Sequence, residues 1–169
     1  MERSTAMKEK NLDTIIKRYL NLFEKRGLGS SKLKLIEEKL NIVLPEDFKR
    51  ITDVFDGYEE IGGFSLFSFD LEVKEWNVIE KTEFYRASNC KLPRCYLALM
   101  EESESFIVMK TQDRPNLPAP VIWCSLSDAY NLQDNTALEA NPTIFPSFMN
   151  FFEYLLDQED EERKVGNDH

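Results

Sequence analysis

Histidine is nearly missing: the only one is His169, the last of 169 residues. The side chain most used to move protons near neutral pH is therefore absent from the body of the chain, which argues against Cys-His and Ser-His nucleophilic sites. Cysteine is scarce and odd in number, with Cys90, Cys95 and Cys124 alone. Such a set does not form the framework of a secreted disulfide scaffold and is read as reduced thiols. Cys90 and Cys95 stand further apart than the cysteines of a redox C-x-x-C, and no second ligand pair completes a zinc site. No metal and no cofactor is expected. Long apolar runs are also lacking: no stretch approaches the roughly eighteen residues of a membrane span, and Met1 to Lys8 has no apolar core of a signal peptide. The expectation is a cytoplasmic protein with no membrane role. Basic residues are in deficit, 21 against 31 acidic, for a formal net charge of -10. That balance opposes the Lys/Arg-rich surface that phosphate backbones require, so direct nucleic-acid binding is not expected. It keeps a protein soluble, and it speeds encounter with a basic protein partner by an attraction that salt weakens.

What is present is globular in kind. Hydrophobic residues make up 42% and charged residues 31% of the chain, and a single domain of this length buries about two-thirds of its unfolded surface. Leu12, Ile15, Ile16, Tyr19, Leu20 and Phe23 follow the three-and-four spacing of a helix with one buried stripe. Gly27 and Gly29 are expected to stop it, and Ser30 or Ser31 to cap a second helix over 32–40 with Leu33, Ile36 and Leu40 on one face. Pro45, Glu46 and Asp47 suit the start of a third helix that runs to about Phe55, ended by Asp56-Gly57. Phe64-Ser65-Leu66-Phe67-Ser68-Phe69 alternates like a half-buried strand, and Leu71 to about Arg86 reads as helical. Cys95 to Met100 and Phe106 to Lys110 read as a hairpin joined by the acidic 101–105, Arg114 to Pro120 as a loop, and Val121 to Cys124 as a further strand. Ser125 to Pro142 is polar, without a periodic signal, and is expected to cover one end of the sheet. Phe148, Phe151, Phe152, Leu155 and Leu156 mark a closing helix. The charged stretch 157–169 reads as a frayed tail beyond a domain spanning 1–156. The sum is an α+β fold, a central antiparallel sheet of four to six strands with N-terminal helices and a C-terminal helix packed against it.

The stretch from Ile36 to Arg50, through Leu44-Pro45-Glu46-Asp47-Phe48, resembles the opening signature of the SUKH superfamily, the Smi/Knr-type domains. An amphipathic helix there leads through an apolar-Pro-x-x-aromatic step into a second helix. Gly57, Gly62 and Gly63, the sheet in the middle, Val121-Ile122-Trp123 in a late strand and the helix from Ser147 to Leu156 continue the resemblance in order. It departs at Glu101 to Ser105, where a glycine-rich turn is the usual pattern, and at 125–141. The resemblance implies an immunity protein of bacterial polymorphic toxin systems, which binds and blocks a cognate toxin, often a nuclease. Eukaryotic relatives look like regulatory adaptors in cell-wall signalling, so the alternative is a non-catalytic adaptor domain.

No motif carries catalysis. Gly27-Leu28-Gly29-Ser30-Ser31-Lys32 lacks the spacing of a phosphate loop and follows a helix, and Glu101-Glu102 in an exposed turn reads as solvated charge. The chain is not expected to be an enzyme. The candidate partner-binding residues are Asp53, Asp56, Glu59 and Glu60 at a helix end, Glu101, Glu102 and Glu104 at a hairpin tip, and the aromatic anchors Tyr58 and Trp76. Trp123, between apolar neighbours in a strand, is expected in the core. The expected partner is a basic toxin bound one-to-one; its identity and the oligomeric state of this chain stay open.

Overall fold

A computed structural model describes residues 2–133 and 143–167. In chain order it contains α1 (Glu2–Leu22), α2 (Ser30–Leu40), α3 (Glu46–Ile51), α4 (Val78–Ala87), β1 (Tyr96–Glu102), β2 (Ser105–Lys110), β3 (Val121–Ser125), a 3₁₀ turn (Asp128–Gln133), β4 (Thr143–Phe145) and α5 (Phe148–Asn167). The strands form one antiparallel sheet in the order β1-β2-β3-β4, so the chain is an α+β single domain as the sequence leads one to expect. Ile107 pairs with Trp123 and Val108 with Ile122, which sets alternate side chains of β2 and β3 on opposite faces. On one face the α5 rings meet the sheet, with Tyr154 6.4 Å from Trp123 and Phe151 5.3 Å from Phe145. On the other, Tyr85 of α4 lies 4.5 Å from Phe106. Cover on both faces explains why Tyr96 to Met100 and Phe106 to Met109 are buried without a break.

The helical side of the core is a closed set of aromatic rings. Tyr19, Phe55, Phe152, Phe148, Phe48 and Phe69 are all fully buried, and neighbours in that order lie 4.7–6.3 Å apart, mostly tilted or edge-on. Such geometries favour aromatic pairs beyond their apolar burial. The rings join α1, α3 and α5 to the segment after α3 and to the one ending at Phe69.

Several boundaries differ from the sequence reading. α1 ends at Leu22, before the glycines. Gly27 serves packing instead, because a Cβ there would stand 1.9 Å from the Asp53 carbonyl oxygen. Ser30 and Ser31 lie inside α2, whose N-cap is Gly29 without a side-chain bond. α3 stops at Ile51 and is capped by Thr52, four residues short of Phe55. The 64–69 segment is not a strand. Leu66, Phe67, Ser68 and Phe69 are all buried, and its backbone bonds go to separate places: Phe67 N–H to Leu99, Ser68 N–H to Trp76, Phe69 N–H to Asp56. Residues 71–77 form turns, and α4 begins only at Val78, where Asn77 accepts from Glu80 N–H as N-cap. β4 gave no signal in the sequence. Of the stretch 125–142, residues 128–133 form the 3₁₀ turn against β3, and 134–142 lie outside the described residues. The charged run expected to fray is helical through Asn167. Arg18 of α1 reaches Asp157 and Asp160 there, and Arg163 holds the ring of Phe23 at 5.3 Å, so α1 and the residue after it supply the partners that an isolated acidic helix end lacks.

Candidate interaction surface

The bend after α3 is built into the body of the protein before it presents anything to solvent. Gly57, at φ +86°, lets the chain turn with its Cα against the Phe67 carbonyl. The Asp56 carbonyl accepts from Phe69 N–H at 2.7 Å, and its carboxylate accepts from Tyr58 N–H at 3.1 Å. Glu59 is half-buried and lies 3.6 Å from Arg26. Glu60 is exposed, with the Ser65 hydroxyl at 3.5 Å. Gly62 N–H donates to Glu159 of α5 at 2.8 Å, which ties the far end of the bend to the last helix. What this scaffold offers to solvent is Asp53, Glu60 and the ring of Tyr58, 55% exposed.

Trp76 is brought to the same neighbourhood by its carbonyl, which accepts from Ser68 N–H at 2.8 Å. Its ring is 40% exposed and stands edge-on to Phe67 at 5.3 Å, with the Lys81 ammonium 4.6 Å from its centre. The two residues marked in the sequence as aromatic anchors therefore both connect to one buried segment, 67–69, Trp76 directly through Phe67 and Ser68 and Tyr58 by way of Asp56.

The other acidic residues sit apart, at the β1–β2 turn. Ser103 takes the left-handed conformation, φ +50°, so the expected five-residue connection closes as a two-residue turn of Ser103 and Glu104. Glu101 is half-buried and accepts from the Tyr85 hydroxyl; burial, then that carboxylate, drives the phenol pKa far above its ordinary value. Glu102 and Glu104 are exposed and enter no ion pair among the described residues. Phe67, the ring beneath Trp76, is joined to the strand that carries Glu101 and Glu102 by the 2.8 Å bond from its N–H to Leu99 in β1.

A third feature has no local signature in the sequence. A groove of about 450 Å³ opens between α3, the 115–118 loop and the start of α5, with Leu12, Leu117, Pro118 and Met149 among its walls and Asp47 inside it. Asp47 accepts from Phe48 N–H and from Met149 N–H, each at 2.8 Å, and so tethers α3 to the first turn of α5. Burial nevertheless holds its carboxyl above the usual range, against the pull of those N–H groups. The sequence marks Asp47 only as a favourable charge at a helix start. The walls come from four segments distant in the chain, which no window along it reveals.

The three cysteines form no disulfide: Cys90 and Cys124 are buried, and Cys95 is half-buried. Burial raises both buried thiols, that of Cys124 to about 11, the opposite of what a reactive thiolate needs. Trp123 is half-buried rather than enclosed, edge-on to Phe64 at 5.4 Å. His169 lies outside the described residues. Among them no group of three His, Cys, Asp or Glu side chains is placed to hold a metal ion, and no helix is long and apolar enough to cross a membrane.

These features suit contact with a macromolecule: exposed rings on a fixed backbone, unpaired carboxylates on a tight turn, and a preformed groove. A search of curated proteins finds no significant match. The model of the SMI1 / KNR4 family (SUKH-1) matches residues 27–157, a span that takes in α2 through the first half of α5, the sheet, both acidic regions and Asp47. The chain belongs to the SMI1 / KNR4 family (SUKH-1).

Proposed function

We propose that this protein is an immunity protein, which neutralises a cognate toxin by binding it one-to-one. Membership of the family is consistent with an immunity-type or Smi1/Knr4-like binding domain, and the reading adds that the partner is a basic protein, such as a nuclease. The observation that carries it is the pair Glu102 and Glu104, exposed at the β1–β2 turn and in no ion pair among the described residues, in a chain of net charge -10. Unpaired carboxylates at a rim draw a basic partner in and set its orientation, while exposed aromatic rings such as Tyr58 and Trp76 supply the area that holds it. Binding of this kind uses no cofactor and no chemistry on the partner.

The test is affinity purification of the full chain from its native cell, with each recovered protein then expressed alone and together with it. Recovery in a one-to-one complex of a protein that is lethal alone and harmless with this chain is the expected result. A stable complex with a non-toxic signalling or wall-synthesis protein would assign the domain to regulatory adaptors instead.

A further inference from the structure

We propose that the groove between α3, the 115–118 loop and α5 receives a lysine or arginine side chain from an extended segment of the protein partner, its aliphatic stem on Leu12, Met149 and the loop, its cation on Asp47. The inference rests on the binding-module reading above and names where and by what chemistry the partner is held.

Asp47 lies in a groove whose size falls within the roughly 300–1,000 Å³ of ligand clefts. A carboxylate has about four acceptor positions, and the N–H groups of Phe48 and Met149 occupy one on each oxygen. Of the basic residues that follow Asp47 in α3, Lys49 pairs with Glu37 at 3.0 Å and Arg50 with Asp13. Asp47 itself enters no ion pair among the described residues. Among the residues that line the groove the balance is negative, Glu46 and Asp47 against the single guanidinium of Arg50, which Asp13 already holds. Burial has already raised the carboxyl, so an entering cation meets an anion with little solvent left to lose.

The walls suit the rest of such a side chain. Lysine and arginine bury an apolar stem while the charged end finds a partner. Pro115, Pro118 and Pro146 stiffen the walls, and Glu46 N–H donates to the Pro115 carbonyl at 2.9 Å, which fixes the loop to α3. A preformed wall lowers the ordering cost of binding. Leu117, 38% exposed at the lip, is an apolar contact for the residue next to the inserted one.

The test is titration of the isotope-labelled full chain with acetyl-Leu-Arg-Leu-amide, and with the same peptide carrying norleucine or glutamate in place of arginine. The amide signals of Met149, Asn116 and Leu117 are followed. The arginine peptide is expected to shift them saturably, and each of the other two to bind about tenfold or more weaker. Asp47→Asn should weaken the arginine peptide by a similar factor. Because that variant also loosens the tether to α5, Leu117→Lys is the second arm: an added cation at an exposed position should abolish binding while the rest of the spectrum is kept. Equal binding of the norleucine peptide, or no effect of Leu117→Lys, would overturn charge recognition in the groove. If no peptide shifts these signals and the chain still forms a one-to-one complex with a toxin, the groove assignment fails and the immunity reading stands; saturable arginine binding without any toxin partner does the reverse.

Discussion

The bend 53–60 and the β1–β2 turn carry similar acidic side chains to opposite ends. In the bend, Phe55 and Gly57 are buried, Asp56 binds Phe69 and Tyr58, Glu59 meets Arg26, and Gly62 is bonded to α5. In the turn, the side chains of Glu102 and Glu104 project into solvent while the backbone is held, Glu102 opposite Ser105 and the Glu104 carbonyl by Leu126 N–H at 2.7 Å. Carboxylates held by internal partners contribute to the architecture, whereas those left in solvent act at long range and little on stability. An acidic count alone does not distinguish the two; the partners of each carboxylate do.

The largest effect expected from breaking this contrast is on stability, and in the bend. Phe55→Ala removes a fully buried ring that touches Tyr19, Phe69 and Phe152, and should cost about 3–5 kcal/mol in urea unfolding. Gly62→Ala comes next. Its φ is +56°, and a Cβ would stand 2.5 Å from that of Gln158 and 2.8 Å from the Leu155 carbonyl oxygen. A loss of roughly 2 kcal/mol is expected, and a variant as stable as the parent would mean that the bend is not anchored on α5. Glu102→Lys with Glu104→Lys should by contrast change unfolding by less than about 0.5 kcal/mol. It should slow association with a basic partner about tenfold at low salt, an effect that fades as salt is added. An unchanged association rate would remove the turn from the binding surface.

The sequence displays some of this plainly and some not at all. α2 and α5 were legible because each buries one stripe, Leu33, Ile36 and Leu40 or Phe148 to Leu156, and a helix with one wet face writes its period into the chain. The β1–β2 hairpin was legible from its polar turn between two apolar runs. Phe64 to Phe69 misled because alternation signals a strand with one wet face, whereas Leu66 to Phe69 are all buried and Ser68 is bridged through its N–H and its carbonyl to the 76–78 segment. The helical end of α5 was hidden for a different reason: the charge of Asp157 and Asp160 is answered by Arg18 from α1, far away in the chain. The sequence also marks Asp53 to Glu60 as acidic surface but not that Glu59 meets Arg26 or that the Asp56 carbonyl accepts from Phe69 N–H, since neither partner is a neighbour in sequence. The groove at Asp47 is the extreme case, assembled from α3, a proline loop and α5.

The smallest expected effect reads the contrast through a single phenol. Tyr19 is fully buried; burial first, and then the negative charges of Glu59 and Asp56, push its pKa up to about 12, with Arg26 pulling the other way. A raised folded-state value means that the folded protein keeps a proton the unfolded chain would release. The contribution of Tyr19 to stability is therefore complete below the ordinary tyrosine value of about 10 and is lost as pH rises through about 12. Asp56→Asn with Glu59→Gln removes two of the charges that hold the proton, so the Tyr19 titration should move down from about 12. Glu102→Lys with Glu104→Lys should leave it in place, because neither carboxylate acts on Tyr19. Near-ultraviolet difference titration, with Tyr19→Phe as the subtraction that isolates this ring among six tyrosines, measures both. Equal movement in the two double variants would mean that the bend and the turn act on the interior as one field, and the division between held and free carboxylates would fall.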